Sequence, residues 1–244
     1  MRLDALMHLR SLCESRTRAK ELILRGRVSV NGRIVTKPSL DLPETAEITV
    51  SEGSMPVSRA GEKLAAALDR FGISCRGVTA LDTGASTGGF TECMLGRGAA
   101  HVYALDVGHG QLHPALRADP RVTVMEGVNA RYMTPSMFPS APDMAVMDVS
   151  FISQSLIYPA LSAVLPEGAP LITLVKPQFE AGREHIGKGG IVRLTDALVN
   201  VLFDRLSAAA SGCGFVLKDR MVSPLKGGDG NTEFLALFIK ERRG

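Results

Sequence analysis

The chain contains no tryptophan, and aromatic residues of all kinds make up 5% of its 244 positions. Its core must therefore be aliphatic, assembled from Ala, Leu, Val and Ile. Cysteine is equally sparse. Cys13, Cys75, Cys93 and Cys213 stand far apart, and none forms a Cys-x-x-Cys pair. That spacing supports neither a zinc site nor a dithiol redox motif, and isolated thiols fit a reducing cytoplasm. No apolar run approaches the roughly 18 residues of a membrane-spanning helix, which argues against a pore. The opening Met1-Arg2-Leu3-Asp4 is charged too early to start a signal peptide. A cytoplasmic protein with neither membrane nor metal as a partner is expected.

What the chain does have is 45% apolar residues against 22% charged, enough for an ordinary globular core. Its length leaves room for one domain of typical size and a small second one. The net charge of +3 is unevenly spread: nine Lys and Arg stand against three acids between Met1 and Lys37. A basic end on a neutral-to-acidic body is the electrostatic footprint of a polyanion-binding domain. A solvated, Arg-rich helix surface gives the same count.

The basic segment reads as two short helices and a hairpin. Leu3, Leu6, Met7 and Leu9 fall near helical spacing. Ser15 is placed to cap a second helix with Ala19, Leu22 and Ile23 on one face, and Gly26 stands where that helix ends. Val28 and Val30 alternate as a strand, Asn31-Gly32 is a hairpin turn, and Ile34-Val35 return. A further strand is expected over 47–50. Residues 51–57 read as a linker. Beyond it, strands are expected over 78–82, 101–106, 122–125, 143–147 and 171–175, alternating with helices over 59–71, 90–97, 112–118, 155–165 and 196–210. That alternation predicts a doubly wound, mostly parallel α/β sheet. Two last strands, 215–221 and 234–239, are joined by a Gly-rich loop and read as an antiparallel pair. The expected organisation is thus 1–50, a linker over 51–57, and a Rossmann-like domain over 58–244.

The segment Leu81-Asp82-Thr83-Gly84-Ala85-Ser86-Thr87-Gly88-Gly89-Phe90 follows the first of these strands and opens a helix. In open α/β sheets ligands bind at that edge, and glycines let them approach the backbone. The dinucleotide pattern G-x-G-x-x-G fails, because position 86 is Ser. Asp82, at the strand end, would repel a pyrophosphate but suits the ammonium of S-adenosylmethionine. Asp106 ends the next strand, 22 residues after Gly84, where an acid receives ribose hydroxyls. Residues 126–130 are placed to frame an adenine, with Asn129 as the base contact. For the glycines alone a plain tight turn is the alternative; two acids on successive strands argue for a ligand.

The fourth and fifth strands end at Met147-Asp148-Val149-Ser150-Phe151 and Val175-Lys176-Pro177-Gln178-Phe179-Glu180. Parallel strands open on one edge, so Asp148 and Lys176 face the same ligand. Lys63 lies on the helix before the first strand, and Glu233 begins the last one. This Lys-Asp-Lys-Glu set resembles that of the FtsJ-like ribose 2'-O-methyltransferases. The whole chain is similar to the TlyA family, historically called haemolysins and known as ribosomal RNA methyltransferases. The stretches that carry the resemblance are Ser15-Arg16-x-Arg18-Ala19, Val30-Asn31-Gly32, Ser58-Arg59-x-x-x-Lys63-Leu64 and the loop from Asp82 to Thr91. They continue with Asp148-x-Ser150-Phe151-Ile152-Ser153, Lys176-Pro177-Gln178-Phe179-Glu180 and Gly230-Asn231-x-Glu233. The N-terminal segment resembles the RNA-binding domain of ribosomal protein S-four. The shorter type of the family, which the chain looks like, is associated with large-subunit rRNA. The large subunit is therefore the expected target and the small subunit the alternative.

The resemblance implies a seven-stranded S-adenosylmethionine-dependent methyltransferase fold, ribosomal RNA or a ribosomal subunit as partner, and cytidine 2'-O-methylation without a metal. It implies that Lys176 takes the hydroxyl proton, that Asp148 orients Lys176 and also touches the cofactor, and that Lys63 and Glu233 position nucleophile and base. A lysine acting as a base has to be held neutral, which desolvation and a neighbouring cation favour. RNA contacts are expected from Arg2, Arg16, Arg18, Lys20 and Arg25, cations that hold phosphates without reading sequence. Phe151 is placed either to stack on a base taken out of its stack or to pack in the core. Residues 187–190 and 227–230 read as substrate loops or plain turns. His109 and His113, four apart on an expected helix, have no third ligand and read as structural or solvated. Two other readings compete: a nicotinamide-dependent oxidoreductase, and a toxin or interaction protein without catalysis.

Overall fold

The structure is a computed structural model that describes residues 1–24, 26–50 and 57–241, in two units, Met1–Met55 and Pro56–Gly244. In the first unit, helices α1 (Leu3–Leu9) and α2 (Arg16–Leu24) cover strands β1 (Val28–Val30), β2 (Arg33–Ile34) and β3 (Ile48–Val50). The strands pair antiparallel in the order β2-β1-β3. Ser15 caps α2, its Oγ accepting from the Arg18 N–H at 3.1 Å. Asn31 and Gly32 both take positive φ, 49° and 74°, the two-residue turn whose twist matches the strands. Leu3, Leu6 and Met7 meet Ala19, Leu22 and Ile23 over Val28, Val30 and Ile48 in a small aliphatic core. Leu9, expected on the buried face, is exposed, because α1 ends at that residue. Arg25 and most of the expected linker, 51–56, lie outside the described residues.

The second unit is built on seven strands: β4 (Thr79–Thr83), β5 (His101–Asp106), β6 (Val122–Glu126), β7 (Met144–Met147), β8 (Pro170–Val175), β9 (Phe215–Val222) and β10 (Phe234–Lys240). Their order is β6-β5-β4-β7-β8-β10-β9, with β10 antiparallel to both its neighbours and the others parallel. Helices α3 (Ala60–Phe71) and α4 (Gly89–Gly96) belong to one face, with the short α5 (Pro114–Arg117). The other face carries α6 (Tyr158–Val164) and α8 (Asp196–Ser211). A one-turn helix, α7 (Pro177–Glu180), follows β8 directly.

Successive strand residues feed the two faces alternately. Leu81, Leu105, Met147 and Leu171 pack on the α6/α8 side, whereas Ala80, Val146, Leu174 and Leu235 pack on the α3/α4 side. Burial on both faces explains the near-continuous apolar runs of these strands. It also determines the functional edge. Asp82, Asp148, Lys176 and Glu233 each stand two residues from Ala80, Val146, Leu174 and Leu235, so the period of two sends all four toward α3.

Two helices differ from expectation. The one expected over 112–118 is the single turn α5. It begins only at Pro114, with the ring of His113 accepting the Ala115 N–H at 3.2 Å. His113 is thus a helix cap and shares no helix with His109. The one expected over 155–165 divides into a 3-10 turn, Gln154–Leu156, and α6, whose first turn accommodates Pro159. Among the described residues no helix is long and apolar enough to cross a membrane.

Candidate active site

The carboxyl ends of β4, β7 and β8 and the amino end of β10 meet at one edge of the sheet. Register places the partners. Thr83 pairs with Met147, so Gly84 comes against Asp148 one step on; a Cβ at Gly84 would lie 2.4 Å from the Asp148 carbonyl oxygen. Phe234 pairs with Val175, so Glu233 comes beside Lys176. Lys176 is held extended, at φ −108° and ψ 104°, as the residue before Pro177. Lys63 rides on α3. That helix reaches the edge because Gly61 packs on Gly89: a Cβ at Gly61 would lie 2.9 Å from the Gly89 carbonyl oxygen.

The four residues form two ion pairs. Lys176 Nζ lies 2.6 Å from Asp148 Oδ1, without hydrogen-bond alignment, and donates to Ser150 Oγ at 2.8 Å. Lys63 Nζ donates to Glu233 Oε2 at 2.5 Å, and both of these side chains are buried. The first pair lines a cavity; the second lies behind the wall.

Two cavities share this edge. One, of about 470 Å³, is bordered by Asp106, Val107, Val128, Asn129, Ile152 and Phe151 among others. The other, of about 170 Å³, is bordered by Ser58, Ala85, Thr87, Gly89, Phe90 and Lys176. Gly84, Ser86, Asp148 and Ser150 border both. Asp106 accepts the N–H groups of Ser86 at 2.8 Å and Gly108 at 2.7 Å, and a carboxylate with about four lone-pair sites retains capacity for hydroxyls. Asn129 Oδ1 accepts the Arg131 N–H at 3.1 Å, which leaves its NH2 as the group offered to a ligand.

Glu126 does more than begin the adenine-framing segment. It accepts a hydrogen bond from Arg117 and the N–H groups of Gly110, Gln111 and Leu112. Arg117 first, then the backbone donors, hold its carboxyl down at about 2. The loop it fixes carries Gln111, whose Oε1 accepts from Ser86 Oγ at 3.2 Å.

Several expected residues sit elsewhere or act differently. Asp82 has no solvent exposure and borders neither cavity; Thr91 Oγ1 donates to its Oδ2 at 2.7 Å. Burial lifts its carboxyl to about 7. It lies beneath the loop and not in the ligand wall. Gly88 also borders neither cavity, and a Cβ there would lie 2.3 Å from Leu116 Cδ1. The close approaches that require Gly84, Gly88 and Gly89 are therefore between parts of the protein. Phe151 is 90% exposed, at φ +64°, with its ring 5.1 Å from that of Phe179, so it is not a core residue. Sequence reasoning missed Gln111, Ser58 and the role of Ser150. Ser58 and Ser150 lay within quoted motifs, but nothing local links Ser58 to the cavity or Ser150 to Lys176.

In the first unit, Arg2 Nε lies 3.0 Å and Arg16 Nη2 3.3 Å from the oxygens of Asp4, which is fully buried. Hydrogen bonding to Arg2 above all holds the Asp4 carboxyl below the usual range. Both arginines are thus structural, although each remains about half exposed. Arg18 pairs with Glu21 at 3.2 Å, and Lys20 is exposed.

The strand order, the antiparallel β10 and the ligand edge define a Rossmann-like methyltransferase of the S-adenosylmethionine-dependent fold. The pattern of the FtsJ-like methyltransferase family matches residues 56–240, and that of the S4 domain matches residues 1–48. The chain belongs to the FtsJ-like methyltransferase family, in its TlyA group, with an S4 domain at the N-terminus. Hemolysin A of Brachyspira hyodysenteriae is 46% identical over 98% of this chain and 100% of its own length. TlyA of Mycobacterium tuberculosis, named a 16S/23S rRNA (cytidine-2'-O)-methyltransferase, is 43% identical over 96% of this chain and 87% of its own. A solved structure from Streptococcus thermophilus that carries a hemolysin name is 44% identical, with a TM-score of 0.76 over 99% of this chain and 88% of that one. Membership of a methyltransferase family sets aside the nicotinamide reading.

Proposed function

We propose that this protein methylates the 2'-hydroxyl of a cytidine in ribosomal RNA, with S-adenosylmethionine as donor and large-subunit rRNA as the favoured target. The observation that carries the reading is the position of Lys176. Its amine stands in the cavity wall, ion-paired with Asp148, where a nucleoside-sized cavity meets a small polar one. The names of the relatives support rRNA and cytidine. The cavities fit the cofactor. Asp106 would accept ribose hydroxyls, Asn129 would donate to the base, and Val107, Val128 and Ile152 would offer apolar sides for the adenine. Ser58, Ser86 and Thr87 line the compartment for the amino-acid tail, and the Asp148 carboxylate stands near for its ammonium. When bound, the cofactor supplies an electrophilic methyl group on a positively charged sulfur.

The residues of the chain supply the rest. Lys176 would take the proton of the 2'-hydroxyl as the oxygen gains the methyl group and the sulfur gives it up, and Asp148 would stabilise the ammonium that forms. The buried Lys63–Glu233 pair ties α3 to β10 behind Lys176 and keeps the base in place. Phe151, exposed at the mouth, stacks on the target base. The half-exposed guanidinium groups of Arg2 and Arg16, with Arg18, Lys20 and Arg25, hold phosphates.

The test is mass-spectrometric mapping of 2'-O-methylated positions in rRNA incubated with and without the protein. A new 2'-O-methylcytidine is expected. Arginine does not serve as a titrating base, so Lys176→Arg should reduce transfer by about 10²–10⁴-fold with cofactor affinity nearly unchanged. Turnover retained by Lys176→Arg would sink the base assignment.

A further inference from the structure

We infer that Ser150 is a positioning residue that sets the direction in which Lys176 presents its lone pair. The inference rests on the reading of Lys176 as the base and goes beyond it. A neutral amine carries Cε, two N–H bonds and a lone pair in a tetrahedron. Where the two N–H groups go therefore decides where the lone pair points. Asp148 attracts Lys176 Nζ at 2.6 Å, but the contact lacks hydrogen-bond alignment. That contact keeps Nζ close to the carboxylate but fixes the direction of its N–H bonds less than an aligned hydrogen bond does. The contact to Ser150 Oγ, at 2.8 Å, is aligned. It is the directional one: it fixes one N–H, and of the two tetrahedral positions left the second N–H falls on the Asp148 side, so that the lone pair is free for the proton of the substrate hydroxyl.

The place of Ser150 suits the task. It borders both cavities, together with Gly84, Ser86 and Asp148, so it stands where the two parts of a ligand join. β7 and β8 pair Met147 with Thr173, and the same offset carried past the strand ends brings Ser150 level with Lys176. The loop that presents it is held from its far side. Glu180 accepts the Gln154 N–H at 2.9 Å and the Ser153 hydroxyl at 2.7 Å. Gln154 Nε2 donates to the Leu174 carbonyl at 2.7 Å, and Phe151, at φ +64°, meets the ring of Phe179. Those contacts tie the segment after β7 to the segment after β8, which carries Lys176. They hold the backbone from which the Ser150 hydroxyl reaches Lys176.

The test compares Ser150→Ala and Ser150→Thr in the full chain with the unaltered protein and with Lys176→Ala. The measurements are kcat and KM for rRNA, calorimetric affinity for S-adenosylmethionine, and thermal unfolding. Ser150→Ala should lower kcat by roughly 10–100-fold, the scale of a misdirected reacting group, with little change in KM. Ser150→Thr retains the oxygen and should restore kcat to within several-fold. Unchanged kcat in Ser150→Ala, a loss confined to KM, or an equal loss in Ala and Thr would each overturn the inference. Transfer retained by Lys176→Ala would overturn the reading beneath it. An inactive Lys176→Ala beside a fully active Ser150→Ala would overturn the positioning role alone.

Discussion

Asp82 and Asp148 both end strands, both point toward α3, and differ in what covers them. Asp148 borders the cavities, whereas Asp82 has no solvent exposure and burial lifts its carboxyl to about 7. In the unfolded chain the same group titrates near the usual 3.8. Between those values the folded chain holds a proton that the unfolded chain has lost, so this group makes stability fall as pH rises from about 4 to about 7. Asp82→Asn retains an acceptor for Thr91 and removes the charge. The variant should melt above the unaltered protein at pH 8, by an amount that shrinks toward pH 4. A difference in Tm that does not vary with pH would show that Asp82 does not titrate in this range. Composition and spacing reveal that an acid ends the strand. Whether a ligand or Thr91 receives it depends on the loop folded above.

Elements are where sequence reasoning reads most surely, and its misses have physical causes. The strands follow from alternation and apolar runs, and α3 and α8 occupy nearly the ranges expected for them. The boundary of α5 moved because Pro114 and the His113 cap outweigh the apolar spacing of the preceding residues. Which helices touch is another matter, and Gly61 shows why. Its missing side chain permits contact with the Gly89 backbone, and a Cβ there would sit 2.9 Å from the Gly89 carbonyl oxygen, where neither partner is a flexible side chain. Gly61→Ala should therefore push α3 from α4 and destabilise by about 1–3 kcal/mol, as overpacking does. That corresponds to roughly 2–4 °C of Tm per kcal/mol for a chain of this size. Methyl transfer should fall as well, since α3 carries Lys63. An unaltered melting temperature would show that the two helices have slack.

At the scale of the molecule, each unit has its own core. That of the first is aliphatic, as the composition foretells; the α6/α8 side of the second departs from that expectation, because Tyr103, Phe138, Tyr158, Phe203, Phe215, Phe234 and Phe238 gather there. Deleting residues 1–50 should leave S-adenosylmethionine binding intact by calorimetry and remove methylation of rRNA; full activity of the shortened chain would refute a targeting role for the basic unit. The sequence by itself determined most of the elements, their alternation and the edge on which the parallel strands open, because periodicity is a local, one-dimensional property. It thereby brought Lys63, Asp148, Lys176 and Glu233 into view together. The tertiary structure alone decided the partners: Ser150 on Lys176, Glu126 under the loop that bears Gln111, Asp4 beneath two arginines expected to serve RNA, and Thr91 on Asp82. Such contacts join residues that are distant or unremarkable in the chain. They arise from the strand order β6-β5-β4-β7-β8-β10-β9 and from ångström-scale register, which no local pattern encodes.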